Sequence, residues 1–317
     1  MRAGIVYGGT SSEAEASEKN AKSIEGALRT KGYDVLMLEY GPDMIRRIRD
    51  NAVDIVYLCV QGKYHGDGTL QAMLDHEGIP YTGSKTQAAM LINDKILCKF
   101  LFDYYRIPTP KWRILRKEEY RQKRFDYDEI GFPFVGKAPT QGGSFGIELI
   151  RGPEELPKLE SVFAYDDPLL LEEFIDGGFY TVGLLEKDGE LMTLPCVEGV
   201  ETLAGVKQNR DEKLILFTGE YDIAEPDLPE SCIREMECFS RQIFELVRAR
   251  DVARVDFMVS RMTRKPYVLE INAVPGLKQG SLLPKAAIAS GMQYDDLIEG
   301  ILLSAWNSSE AGGRKYV

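Results

Sequence analysis

The sequence predicts a doubly wound α/β unit at the N-terminus followed by α+β segments. Two features carry that reading. Strands and helices alternate over the first 85 residues, with strands ending at glycine, and beyond a proline-marked connection closely spaced strands replace the alternation. GIVYGG reads as a strand, SEAEASEKNAKSIEGALRTKGY as an amphipathic helix, VLMLEY as a strand and the run to Asn51 as a helix. DIVYLCVQG is a buried strand, TLQAMLDHEG a further helix, and IPYTGS closes the unit. A helix over residues 85–106 follows, then IPTPKW. FPFVGKAPTQGGSFGIELI reads as two strands joined by a glycine-rich loop, and PLLLEEFIDGG as a strand running into a turn. From 176 onward come the strands FYTVGLLE and ELMTLP, a polar loop over 199–213, a helix over 231–249, a hairpin within ARVDFMVSRMTRKPYVLEIN and a last helical region. The expected units are 1–85, 86–175 and 176–307, with 308–317 a polar tail expected to be mobile.

At 317 residues, 44% of them hydrophobic, the chain can build two or three cored subdomains. Its 39 basic and 50 acidic residues give a formal charge of −11, which argues against general binding to nucleic acid or anionic membrane. No apolar run approaches the roughly 20 residues that span a bilayer, and MRAGIVYGG lacks the apolar core of a signal peptide. Five scattered cysteines without a CxxC pair suit reduced thiols, so a cytoplasmic protein is expected. His65 and His76 are the only histidines. Chemistry must therefore rest on carboxylates, lysine, arginine and backbone rather than on a zinc site or a Ser-His-Asp triad.

In the hairpin, strand alternation puts Val255, Phe257 and Val259 on one face and Arg254 and Asp256 on the other. In its second strand Leu269 and Ile271 are expected in the core, with Glu270 and Asn272 opposite. Asp256, Glu270 and Asn272 are hard oxygen donors suited to Mg²⁺, and Arg254 could hold a phosphoryl oxygen or a developing oxyanion. A surface cluster of salt bridges accounts for the same pattern equally well. GKAPTQGGSFG sets Lys137 before a glycine-rich loop whose N–H groups could approach phosphate; a flexible turn is the plain alternative. Lys95, on a helix, reads by itself as solvated surface. In GGTSSEAEAS, glycines followed by Ser and Glu read as a helix N-cap, with Glu13 and Glu15 complementing the helix dipole.

In their order and separations, GGTSSEAEAS, GDGTLQAMLDHEGIPYTGS, the NDK of 93–95, IPTPKW, the strand-loop-strand around Lys137, LLEEFIDG, ARVDF and VLEINAVPGLKQGSLLPKAA resemble the D-alanine–D-alanine ligases of the ATP-grasp superfamily, from about residue 3 to about 304. The resemblance implies an N-terminal α/β (pre-ATP-grasp) domain and two α+β domains that grip ATP between them. It implies a reaction in which ATP phosphorylates one substrate's carboxylate and a second substrate's amine then forms an amide. It also implies ATP, two Mg²⁺ ions with Mn²⁺ as an alternative, amino-acid substrates and a homodimer. By position, Asp256, Glu270 and Asn272 match the metal ligands, Lys95 and Lys137 the phosphate-binding lysines, and Ser144 the phosphate-covering loop. Glu172 with the backbone around Phe174 and Ile175 matches the adenine segment, and Arg254 with the N–H of Gly276 the oxyanion hole. Glu13 matches the acid that holds the first substrate's ammonium, and Ser281 the hydroxyl that holds the second substrate's carboxylate.

The sequence departs from the family pattern at several places. Gln61 stands in the place of a histidine near the first substrate and Gly66 in the place of an acid. Gly143 replaces the first of two serines, and Phe179 replaces a ribose-binding glutamate. VEGVETLAGVKQNRDEKL replaces a tyrosine-rich closing loop, leaving Lys207 or Lys213 as the loop lysine. These changes cluster at substrate and ribose and spare the metal hairpin. Two other readings stay open: a ligase joining other amino acids into a small peptide, and a non-catalytic ATP-binding protein on the same scaffold. An NAD enzyme would need a complete glycine fingerprint, which GIVYGG lacks.

Overall fold

A computed structural model describes residues 1–11, 13–62, 65–143, 145–187, 189–201 and 221–311. The N-terminal unit runs β1 (Arg2–Tyr7), α1 (Ala14–Thr30), β2 (Asp34–Glu39), α2 (Met44–Asp50), β3 (Ile55–Leu58) and α3 (Thr69–His76). Its strands are parallel in the order β2-β1-β3. IVYL is apolar at every position and β3 is buried throughout, as a parallel strand covered on both faces should be. A parallel bridge from Val56 to Tyr81 extends the sheet into IPYTGS. The continuous helix expected over 85–106 is two: α4 (Thr86–Asn93) and α5 (Lys95–Tyr104). Asp94 divides them because its extended backbone starts a new helix and its side chain accepts the N–H groups of Ile96 and Leu97 at 2.9 and 3.2 Å.

The middle segment contains β4 (Trp112–Leu115), α6 (Lys117–Arg121), β5 (Phe134–Lys137), β6 (Ile147–Ile150), α7 (Leu159–Val162) and β7 (Leu169–Glu173). Its strands form an antiparallel sheet in the order β4-β7-β5-β6 over a core that includes Phe134, Ile150 and Leu171. The C-terminal segment contains β8 (Gly177–Lys187), β9 (Glu190–Thr193), β10 (Val197–Glu201), β11 (Tyr221–Ala224), α8 (Glu230–Leu246), β12 (Val252–Ser260), β13 (Pro266–Asn272), α9 (Leu282–Ala289) and α10 (Tyr294–Ala311). Here the order is β11-β10-β8-β12-β13, with β9 against β8. The polar loop expected from 199 begins as strand, because β10 pairs with both β8 and β11; residues 202–213 lie outside the described residues. The expected tail likewise begins inside α10, which continues to Ala311.

The N-terminal unit does not close its core alone. Ala21, Ile24 and Leu28 of α1 share one cluster with Leu185 and Val252 of the C-terminal sheet and with Ile298, Ile301 and Leu302 of α10. A buried carboxylate reinforces the joint. Asp251 accepts the Gly83 N–H at 2.7 Å and the Ser304 hydroxyl at 2.9 Å, while its own N–H donates to Glu186 at 2.7 Å. Asp251→Ala leaves those buried donors without their acceptor and is expected to lower stability by about 2–4 kcal/mol, read as a lower urea midpoint.

Candidate active site

The polar face of the hairpin is set by a β-bulge. Asp256 of β12 pairs with Glu270, but Phe257 pairs with Val268, so Leu269 is the extra residue on β13. This corrects the expected alternation: Val268 and Ile271 enter the core, and Leu269 is only partly buried. Asp256 is buried. Its oxygens accept two bonds from Arg254 at 2.8 and 2.7 Å, the Thr181 hydroxyl at 2.8 Å and the Asn272 amide at 3.0 Å. The same amide reaches Glu270 at 3.5 Å. The structure thus brings Asp256, Glu270 and Asn272 together. Among the described residues no three His, Cys, Asp or Glu side chains cluster closely enough to hold a metal unaided. Two carboxylates and an amide fit Mg²⁺, which keeps several waters and takes other oxygens from bound phosphates.

Lys95 is not solvated surface. Its side chain is 11% exposed, ion-pairs with Glu270 at 3.0 Å and donates to the Gln141 carbonyl at 2.6 Å. Burial pulls the Lys95 ammonium down, and Glu270 more than restores it. Burial likewise pushes the Glu270 carboxyl up, and Lys95, Lys137 and Arg254 outweigh that. Lys137, at the end of β5, ion-pairs with Glu172 of β7, which also pairs with Lys99 of α5. Burial pushes the Glu172 carboxyl up, but the two ammoniums overcome it and hold the group at about 2. Phe174 and Ile175 follow β7 on the segment leading into β8, and the Phe174 N–H is bonded to the Pro133 carbonyl at 3.3 Å.

The N-terminal unit supplies the opposite wall. Glu13 occupies the N-cap position of α1, yet its carboxylate makes no capping bond. It turns instead to the glycine-rich loop, where a Cβ on Gly142 would lie 2.7 Å from Oε2. Only glycine permits that approach. Gln61 donates its side-chain amide to the Val274 carbonyl, linking the loop after β3 to the loop after the hairpin. His65 lies behind this wall: its Nε2 accepts the Thr10 N–H at 3.1 Å and its ring meets Tyr40 edge-on. Gly276 sits against Ser281, with 2.9 Å between a built Cβ and the hydroxyl. Ser144 lies outside the described residues.

Sequence reasoning missed three contributors. Asn20 of α1 accepts the N–H groups of Leu277 and Lys278 at 3.0 and 2.8 Å and so fixes the loop carrying Gly276. Thr181 orients Asp256. Lys99 anchors both Glu172 and the bulge, donating to the Val268 and Leu269 carbonyls at 3.2 and 3.0 Å. Only Asn20 left a signal, as an amide on the apolar stripe of α1.

The family model described as D-ala D-ala ligase C-terminus matches residues 101–303. A D-alanine–D-alanine ligase of Pelotomaculum thermopropionicum is 34% identical over 307 residues, covering 94% of this chain and 95% of that one. Another, of Syntrophotalea carbinolica, is 35% identical over 302 residues, with 95% of each chain covered. This chain belongs to the D-alanine–D-alanine ligase family. A solved D-alanine–D-alanine ligase from Bacillus anthracis, complexed with ATP, superposes with a TM-score of 0.81 at 28% identity, over 99% of this chain and 100% of that one. The ligase from Coxiella burnetii shares the fold at a TM-score of 0.79 and 23% identity. The architecture is therefore the ATP-grasp fold. An apolar pair stands beside the polar face of the hairpin. Phe179 is 5% exposed, pairs in register with Met258, and lies on the same face of β8 as Thr181, which puts an apolar pair next to Asp256.

Glu13 carries a testable electrostatic signature. Burial raises its carboxyl to about 7, Lys95 opposing and Glu270 assisting. The folded protein keeps this proton to about pH 7, whereas the unfolded chain releases it near 4.5. Glu13 therefore lowers stability progressively between those values, by a constant amount above them and not at all below. Glu13→Gln is expected to match the parent at pH 4 and exceed it by about 2–3 kcal/mol at pH 8, measured by urea titration at both.

Proposed function

We infer that this chain is an ATP-dependent ligase that joins two molecules of D-alanine through an acyl phosphate. One observation carries the reading: Glu13, Gln61, Lys95, Gly142, Glu270 and Asn272, drawn from every part of the chain, line a single cleft. In this reading Asp256, Glu270 and Asn272 hold Mg²⁺, which neutralises phosphate charge during transfer. Lys95 and Lys137 bind the phosphates, with Ser144 in the loop covering them. Glu172 and the backbone of Phe174 and Ile175 bind adenine. Glu13 holds the ammonium of the first amino acid, with Gln61 beside it, and Ser281 the carboxylate of the second. Arg254 and the Gly276 N–H take the charge on the tetrahedral oxygen when the amine attacks.

The relatives named above support D-alanine as both substrates. The homodimer and the cytoplasmic location belong to the same reading. Among the described residues no helix is long and apolar enough to cross a membrane.

The test is phosphate release and product mass with ATP, Mg²⁺ and D-alanine, followed by other D- and L-amino acids singly and in pairs. D-alanyl-D-alanine is the expected product. A dipeptide of other composition would reassign the substrates, and no release with any pair would overturn the ligase reading. Glu270→Gln, which keeps shape and removes charge, is expected to lower kcat by about 10²-fold while still melting cooperatively, with a lower unfolding midpoint at pH 7 because Lys95 loses its counterion.

A further inference from the structure

Glu172 holds two ammoniums where charge balance needs one, and the two differ in kind. The Lys99 side chain is 0% exposed and built in: besides Glu172 it donates to the Thr109 hydroxyl at 2.5 Å and to both carbonyls of the bulge. Thr109 in turn donates to the Val268 carbonyl at 2.7 Å. Lys137, at 12% exposure, stands at the mouth of the glycine-rich loop.

We propose that Lys99 is a positioning residue, the fixed counterion of Glu172 that lets Lys137 leave that carboxylate for the phosphates of a bound nucleotide. The inference rests on the reading that this chain binds ATP. With Lys99 in place, departure of Lys137 leaves a neutral buried pair. Without Lys99, Lys137 is the sole counterion of a carboxylate sealed from water, and moving it would strand that charge. Lys99 thus acts on the phosphates through Glu172 and Lys137 without touching them.

The experiment is a double-mutant cycle on the full chain, read by calorimetric affinity for Mg·ATP without amino acids. The variants are Lys99→Met, Glu172→Gln and their combination, each checked for a cooperative melt. Lys99→Met is expected to weaken binding at least about tenfold in the parent, and less than about threefold when Glu172 is already glutamine. Equal losses in the two backgrounds would show a merely structural lysine and overturn the proposal, as would a loss below threefold in the parent. Should Lys99→Met alone fail to fold, the neutral pair still decides. Lys99→Met/Glu172→Gln binding within threefold of Glu172→Gln upholds the proposal, and a tenfold deficit overturns it. A parent protein that binds no Mg·ATP would remove the ATP reading itself, a different outcome from any of these.

Discussion

Charge matching in a poorly solvated cleft constrains the rest of this structure. Four carboxylates converge there, Glu13, Glu172, Asp256 and Glu270, and four cations stand against them, Lys95, Lys99, Lys137 and Arg254. The cations are shared unequally. Glu172 takes two, Asp256 takes Arg254 and Glu270 takes Lys95. Among the described residues Glu13 is left without an ion pair, and burial pushes its carboxyl up to about 7. A site so arranged has one acid poised to take up or release a proton near neutrality, beside Glu172 and Glu270, whose carboxyls neighbouring cations hold below their ordinary range.

The backbone reflects the same constraint. Lys99 can reach Glu172 from α5 only if something satisfies its remaining protons, and the bulge on β13 turns two carbonyls toward it. That bulge also re-aims the strand: Val268 and Ile271 fill the core while Glu270 still stands opposite Asp256. One buried ammonium thereby links the middle sheet, the hairpin and the helix that begins with Lys95. The opposite wall is tied in by amides, Asn20 to the Leu277–Lys278 backbone and Gln61 to the Val274 carbonyl.

Much of this was legible in the sequence. Apolar runs ending in glycine locate β1 and β3, alternation locates the hairpin, and the run from LLEEFIDG to VLEIN brings together Glu172, Asp256, Glu270 and Asn272. What stayed hidden depends on distant partners. PYVLEIN alternates cleanly, so nothing in it marks Leu269 as an inserted residue; the carbonyls at the bulge accept from a lysine about 170 positions away. Lys99 lies one turn after Lys95 in KILCKFLF, where periodicity gives both the look of a solvated edge. Glu13 read as a cap because local chemistry favours that role, and tertiary contact with Gly142 overrides it. The sharing of α10 between the first and last units is invisible to any window shorter than the chain.

The distribution of ion pairs also bears on how a nucleotide would enter. The cleft is already compensated, so an incoming triphosphate exchanges bonds rather than adding them. In the proposed reading, taking Lys95 for phosphate would uncover Glu270, and drawing Arg254 toward a phosphoryl oxygen would uncover Asp256. An anion arriving alone would therefore leave two carboxylates unmatched in a low-dielectric site, at a cost comparable to the contacts it gained. A divalent cation arriving alone would compete for carboxylates that lysine and arginine already hold. In the proposed reading, if the two entered together Lys95 and Arg254 would be free to hold phosphate oxygens while Glu270 and Asp256 would hold the metal, which would supply the matching positive charge. On the proposed reading, the pairing of acids with bases in the free protein would thus favour the metal–nucleotide complex over either component as the species that binds.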